Sequence, residues 1–346
     1  MSLELWAEKL KVSTNNMLNP DLKLNPKIFD KDVEQAPTRN GYGEGLVLAG
    51  DQDENVVVLC ADLTESTRAD AFAKKYPKRF FQVGVAEQNL ATIAAGLGIS
   101  GKIPFISSYA TFSPGRNWEQ IRTTITYNDS NVKIAGAHTG VSVGPDGATH
   151  QAIEDIATMR VLANMKVFAP CDAIEARKAT MAAAKIWGPV YLRFAREKSP
   201  VMTTEKTHFA PGVAEIFWES KKPEVLIIGC GPILHNALVA AKELEEEGTG
   251  SVVLNCHTIK PLDEKQIIEL TKKYKAVVTV EEHQVAGGLG GAVAECLAKH
   301  YPAPIEFIGM QDVYGESGKP AELIEKYGMG VKDIKAAVKK ALKRKK

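Results

Sequence analysis

No apolar run in this chain is long enough to cross a membrane; the longest, such as Val56-Val57-Val58-Leu59-Cys60 and Val225-Leu226-Ile227-Ile228, are strand-sized. Excess charge of one sign is lacking too. Lys and Arg number 43 against 42 Asp and Glu, which leaves no electrostatic basis for binding nucleic acid or a lipid surface. Cysteines are few and scattered. Cys60, Cys171, Cys230, Cys256 and Cys296 form no close pair and no metal spacing, so buried, reduced thiols and a cytoplasmic location are expected. The start, Met1-Ser2-Leu3-Glu4, has no basic-then-apolar leader pattern. Walker loop, nucleophile elbow and short-period repeat are all absent. The glycine-bearing stretches Gly229-Cys230-Gly231-Pro232 and Gly287-Gly288-Leu289-Gly290-Gly291 lack the full strand-turn-helix fingerprint of a nucleotide loop and read as turns.

What is present is alternation. A chain of 346 residues has room for two domains, each with its own core. Residues 1–37 are polar, with breakers at Asn15-Asn16, Asn19-Pro20 and Asn25-Pro26, and predict an N-terminal extension lying on a surface. Short apolar runs then predict strands at 56–60, 80–83, 103–107, 132–137, 167–169 and 190–194. Helical patterns fall between them near 41–50, 87–98, 117–127, 151–158 and 172–187. A polar, Pro-bearing stretch at 205–223 predicts a linker, after which the pattern restarts. Strands are expected at 225–229, 252–255, 276–280 and 305–308, with helices near 233–247, 264–273, 289–299 and 331–345. The fold class is therefore α/β, with two doubly wound, mostly parallel sheets at 38–204 and 224–346.

Three stretches carry candidate chemistry. Glu87 stands in the first turn of a helix of Ala, Gly and Ile, where the helix dipole alone would favour an acid. Asp62 to Ser66 follow a buried strand, at the end where open α/β sheets bind ligands. After the 132–137 strand comes a glycine-bearing loop from His138 to Gln151, holding two histidines and Asp146. No further His or Cys lies close enough in sequence to make this a metal site.

The order of Asp62-Leu63-Thr64, Val85-Ala86-Glu87-Gln88, the 138–150 loop and Tyr191-Leu192-Arg193-Phe194-Ala195-Arg196 resembles the C-terminal half of a transketolase. The resemblance runs from about residue 38 to 340. It implies a pyrimidine-binding domain followed by the family's smaller C-terminal domain. It implies thiamine diphosphate as cofactor and transfer of a two-carbon ketol unit from a ketose phosphate to an aldose phosphate. By that resemblance Glu87 hydrogen-bonds the aminopyrimidine ring, and Tyr109 and Phe112 line its pocket, Phe112 as the stacking ring. His138 and His150 handle hydroxyl and alkoxide protons, and Asp146 reads the donor hydroxyl. Arg39, Ser66 and Arg196 hold the sugar phosphate, a task suited to the forked donors of Arg. Extra residues between Phe112 and Trp118 depart from the usual spacing and leave the register after Phe112 open; the plain reading of Tyr109, Phe112 and Trp118 is core packing, and Arg122 is expected at the surface or in a salt bridge.

The family's Gly-Asp-Gly and following Asn, which hold the diphosphate and its Mg or Ca ion, do not occur before Arg39. The resemblance therefore implies a split enzyme, in which an N-terminal-half subunit carries that site and two such pairs form a heterotetramer. Three alternatives stand beside it: a deoxyxylulose-phosphate synthase-like enzyme, another thiamine-dependent subunit of the dehydrogenase β type, and a non-catalytic homologue. Val141-Ser142-Val143-Gly144-Pro145-Asp146-Gly147 resembles the transketolase loop more than that of the synthase.

Overall fold

Runs of Val, Ile and Leu without polar alternation need cover on both faces, and both sheets are built from such runs. The structure is a computed structural model that describes residues 17–345. In the first half, β1 (Gln35–Ala36) is followed by β2 (Val56–Cys60), β3 (Phe80–Gln82), β4 (Ile103–Tyr109), β5 (Lys133–Ala137), β6 (Lys166–Phe168) and β7 (Val190–Arg193). β8 (Ser199–Pro200) returns to pair antiparallel with β1. The second half supplies β9 (Glu215–Glu219), β10 (Pro223–Gly229), β11 (Gly250–Asn255), β12 (Thr258–Lys260), β13 (Val277–Gln284) and β14 (Ile305–Met310).

The first sheet has the order β12-β6-β7-β5-β4-β2-β3, and every neighbour is parallel except β12 on β6. Its last edge strand thus comes from the second half of the chain. The second sheet, β14-β13-β10-β11-β9, is parallel apart from β9. In the first sheet β3 adds outside β2 while β4 adds on its other side, so the loops after β2 and β4 diverge and open a crevice.

Helices cover both faces: α1 (Thr38–Gln52), α2 (Asp70–Lys75), α3 (Glu87–Ile99), α4 (Trp118–Gln120, continued by the π-helical turn Ile121–Thr126), α5 (Asp155–Arg160) and α6 (Ala173–Lys185) on the first sheet. Around the second lie α7 (Leu234–Glu246), α8 (Glu264–Tyr274), α9 (Leu289–His300), α10 (Pro320–Lys326) and α11 (Val331–Arg344). α1 and α6 meet backbone to backbone, because a Cβ added at Gly41 would lie 1.8 Å from the carbonyl oxygen of Ala173.

Two expected boundaries are corrected. Of the extension, residues 1–16 lie outside the described residues, but Met17 and Ile28 are core residues of the second domain. Phe29 meets Trp218 edge to face at 5.8 Å, and the Asn19 N–H donates to the Phe217 carbonyl. Apolar side chains placed between the breakers give this segment a face to bury. The expected linker 205–223 contains β9, whose Phe217 and Trp218 are buried; their flanking Glu residues hid a five-residue strand within a polar stretch. β12 and α10 also lie outside the predicted elements.

Polar side chains fill the seam between the domains. Arg193, at the end of β7, donates from Nε to Asp155 Oδ2 at 2.8 Å and from Nη2 to the Glu282 carbonyl on β13 at 2.8 Å. Tyr191 Oη donates to the same Asp155 oxygen at 2.7 Å. Burial opposes the Asp155 charge, yet Arg193, His283 and these hydrogen bonds outweigh it and hold the carboxyl below its usual range. Nearby, Asn255 Nδ2 donates to Glu175 Oε1 at 2.7 Å, and burial followed by the Asp172 charge pushes Glu175 up to about 8. All five cysteines are free and buried.

Asp155→Ala leaves the Arg193 guanidinium buried without its counter-charge and is expected to cost about 3–5 kcal/mol. A urea-unfolding shift equivalent to less than about 1 kcal/mol would reject that role for the pair. Glu175 holds its proton in the folded state from its ordinary 4.5 up to about 8, so its contribution is complete below pH 4.5 and is lost as pH rises through about 8. Glu175→Gln should flatten the fall in stability across that window, measured by denaturation at pH 5 to 8.

Candidate active site

The strand ends bring most of the expected site residues to one edge of the first sheet. β2 leads to Ser66, β4 ends at Tyr109 with Phe112 in the following turn, β5 leads to His138 and its loop, and β7 leads to Arg196. Arg39 lies in the first turn of α1, and Glu87 is the first residue of α3.

An aromatic stack forms the floor. The His138 ring lies on Tyr109 with 3.8 Å between centroids, and Tyr109 stacks on Phe112 at 5.8 Å. The His150 ring meets Phe112 at 5.5 Å and Tyr109 at 6.1 Å, edge to face. His138 adopts a left-handed backbone conformation, φ 58°, which turns the chain out of β5 into the loop. Its imidazole is lowered to about 3, by burial first and then by Arg39 and Arg196. It is therefore neutral throughout the physiological range. His150 is half-buried, with Nδ1 2.9 Å from the Thr149 hydroxyl, while Asp146 is exposed.

Three guanidinium groups surround the stack. Arg39 Nη1 donates to the carbonyl oxygen of Ser66 at 2.8 Å, so those two expected partners meet through the backbone. Arg196 Nη1 donates to the Val143 carbonyl at 2.8 Å and lies 3.8 Å from Asp146 Oδ1. Burial, then Arg68 and Arg196, holds the Arg39 guanidinium below its usual range. Sequence reasoning passed over Arg68, whose Nε donates to Asn40 Oδ1 at 2.9 Å. An Arg two residues after Ser66 in a loop beyond a strand end was the available signal.

Glu87 is 4% exposed. Among the described residues no hydrogen bond or ion pair reaches its carboxylate; its backbone carbonyl accepts from Asn117 Nδ2 at 2.9 Å, and the same amide donates to Ser113 Oγ at 3.1 Å. Asn117 thus ties α3 to the turn that carries Phe112, another residue the sequence did not mark. Around this ledge Arg39 Nε, Thr111 Oγ1, Asn117 Oδ1 and His138 Nδ1 are all buried without a partner. Buried polar atoms are nearly always satisfied, so these four leave hydrogen-bonding capacity for a group from outside the chain. Trp118 lies elsewhere, donating to the Thr158 carbonyl at 2.8 Å and packing on the core, and Arg122 is exposed.

The glycine stretches are only partly turns: Gly229 ends β10 before the turn into α7, and Leu289 to Gly291 open α9. At the start of α9 the Glu281 carboxylate accepts the Leu289 and Gly290 N–H groups, each at 2.7 Å. That helix terminus is already filled by a carboxyl group of the chain itself, which burial pushes up to about 7. Among the described residues no three His, Cys, Asp or Glu side chains group as metal ligands, and no helix is long and apolar enough to cross a membrane.

Fold and site define a two-domain α/β chain with an open polar ledge at a topological switch point. Residues 34–201 match the family model of the transketolase pyrimidine-binding domain, and residues 214–334 match that of the transketolase C-terminal domain. A Methanocaldococcus jannaschii protein described as a transketolase C-terminal section is 43% identical, over 88% of this chain and 96% of that protein. The 6-deoxy-6-sulfo-D-fructose transketolase subunit of a Clostridium species is 36% identical over 92% of this chain and 98% of that protein. A solved structure described as a split-gene transketolase, an inactive β4 tetramer, superposes with a TM-score of 0.84 at 47% identity, covering 90% of this chain and 99% of that one. The chain belongs to the transketolase family.

A neutral His138 is expected to give no titration between pH 5 and 9 when its ring signals are followed by NMR. A midpoint near the ordinary 6.5 would contradict the buried, arginine-flanked setting.

Proposed function

We propose that this chain is the catalytic C-terminal subunit of a thiamine-diphosphate-dependent transketolase and works with a separate subunit that holds the cofactor's diphosphate and metal. The observation that carries the reading is Glu87, a buried residue at the start of α3 whose carboxylate has no partner among the described residues, tied through Asn117 to the turn that carries Phe112. A carboxylate left without a partner inside the chain is available to hydrogen-bond a ring nitrogen supplied from outside. The relative described as a C-terminal section and the split-gene structure, both matched over nearly their whole length, support the division into subunits.

Thiamine diphosphate, when bound, supplies the electron sink for carbon–carbon bond cleavage. The residues of this chain do the rest. Glu87 hydrogen-bonds the aminopyrimidine ring, and Tyr109 and Phe112 give that ring an apolar wall. His138, neutral and stacked, exchanges protons with the sugar hydroxyls without adding a cation among the arginines, and His150 contacts the same hydroxyls. Asp146, beside Arg196, orients a donor hydroxyl. Arg39 and Arg196 hold the terminal anion of the sugar, with the Ser66 carbonyl fixing the Arg39 fork. A magnesium or calcium ion belongs with the partner subunit, in a pairing of two and two.

The chain alone, with thiamine diphosphate and magnesium, is expected to show no turnover of xylulose 5-phosphate with ribose 5-phosphate, while addition of the partner subunit restores it. Robust activity of the isolated chain would sink the two-subunit reading. Turnover of pyruvate with glyceraldehyde 3-phosphate instead would favour the synthase-like alternative. Glu87→Ala should remove nearly all activity of the reconstituted pair while leaving assembly intact by gel filtration. Arg196→Ala should weaken kcat/KM for a phosphorylated donor by about 10- to 150-fold, the value of one charge-assisted hydrogen bond. The sulfosugar named for the Clostridium relative supplies a second arm: a donor ending in sulfonate tests whether the arginines are tuned to the charge of a phosphate.

A further inference from the structure

We propose that Glu282, a buried residue of the second domain, is a positioning residue for the loop that carries Asp146 and His150. No side chain of the second domain belongs to the site described above, yet that domain holds the loop from behind. Glu282 lies on β13, is 5% exposed, and its Oε1 accepts the Ser142 N–H at 2.6 Å. The loop is shaped to the carboxylate. Gly140 has φ +79°, and a Cβ added there would sit 2.2 Å from Glu282 Oε1, so the backbone runs directly against the acid. Just beyond, the Gly140 N–H donates to the Ala152 carbonyl at 2.7 Å and closes the base of the loop.

Further contacts from the same domain point the same way. Gln151 Nε2 donates to the Val141 carbonyl at 3.1 Å and to the Glu316 carbonyl at 2.9 Å. A Cβ at Gly147 would be 2.5 Å from Ser317 Oγ, and one at Gly144 would be 3.0 Å from the Pro320 ring. Behind Ser142 lies a cavity of about 410 Å³ bordered by Glu282, His235, Pro232 and Pro320. On either side of Ser142 the loop is buried at Val141, which packs into the core of the second domain, and at Val143, while Ser142 itself borders the cavity and is held by the hydrogen bond to Glu282. Glu282 is itself held, since its carbonyl accepts from Arg193 Nη2 at 2.8 Å. The seam ion pair, Glu282 and Ser142 thus form one continuous support from the domain interface to the loop. What the Ser142 N–H requires is an acceptor oxygen at the right reach; a Gln offers one, whereas Asp, shorter by a methylene, and Ala do not.

Hydrogen exchange on the full chain tests the support without any assumption about activity. Glu282→Ala and Glu282→Asp are expected to speed exchange of amides 141–150 by about tenfold or more, while Glu282→Gln stays within about twofold of the parent. The effect on turnover rests on the proposed function. In the pair reconstituted with the partner subunit, Ala and Asp should lower kcat/KM for the ketose donor by about tenfold or more, with thiamine diphosphate affinity unchanged and Gln restoring the parent values. If Glu282→Ala does not fold, the Asp and Gln variants decide the point. Unchanged loop protection in Glu282→Asp, or equal loosening in Glu282→Gln, would overturn the proposal. An inactive parent pair would count against the proposed function, while the exchange comparison would still decide the role of Glu282.

Discussion

Arg193 ends β7 with its guanidinium out of water, and the ion pair it makes with Asp155 ties together the parts of this molecule that matter for the site. Burying both charges carries a desolvation cost of several kcal/mol per ion, so the pair holds because the geometry is complete. Asp155 takes two donors on one oxygen, from Arg193 and Tyr191, and Arg193 spends another donor on the Glu282 carbonyl across the seam. The arrangement is better understood as setting the relative position of two sheets than as adding net stability. The strand that ends at Arg193 leads to Arg196 three residues later, and the strand carrying Glu282 backs the histidine loop. One buried contact therefore lies under two walls of the ledge.

The electrostatics of the ledge follow from what surrounds it. Arg39, Arg68 and Arg196 leave an excess of positive charge that Asp146 and Glu197 offset in part. In that field a protonated His138 is disfavoured, and burial adds to the effect. The histidine remains able to accept and donate hydrogen bonds while the arginines attract an anion. Glu87, at the start of α3, has a carboxylate with no partner among the described residues.

Much of this was legible in the linear pattern. Apolar runs bounded by turns gave the strands of both sheets because a parallel strand, buried on both faces, has to be continuously apolar. Ser66 and the loop from His138 stood out because they follow strand ends, the place where an open α/β sheet binds ligands, whereas Arg39, Tyr109, Phe112 and Arg196 were marked by the resemblance alone. Elements whose burial depends on distant partners were not legible. β9 hides between Glu215 and Glu219, and its Trp218 is covered by Phe29 from the far N-terminal segment. β12 joins the sheet of the other domain, a choice that no local periodicity encodes.

The sequence by itself determined the α/β class and the transketolase motifs, since these rest on local periodicity and on short stretches that stay contiguous in the chain. The tertiary structure alone decided that Arg39 meets Ser66 through a carbonyl, that Arg68 joins the cationic set, and that Asn117 ties Glu87 to the aromatic turn. It also decided that Glu282, some 140 residues from Ser142 in the chain, supports the histidine loop. The physical reason is that such contacts are set by how two twisted sheets pack and by which buried polar groups must find partners. Those conditions arise when the chain closes on itself, and no window of the sequence contains them.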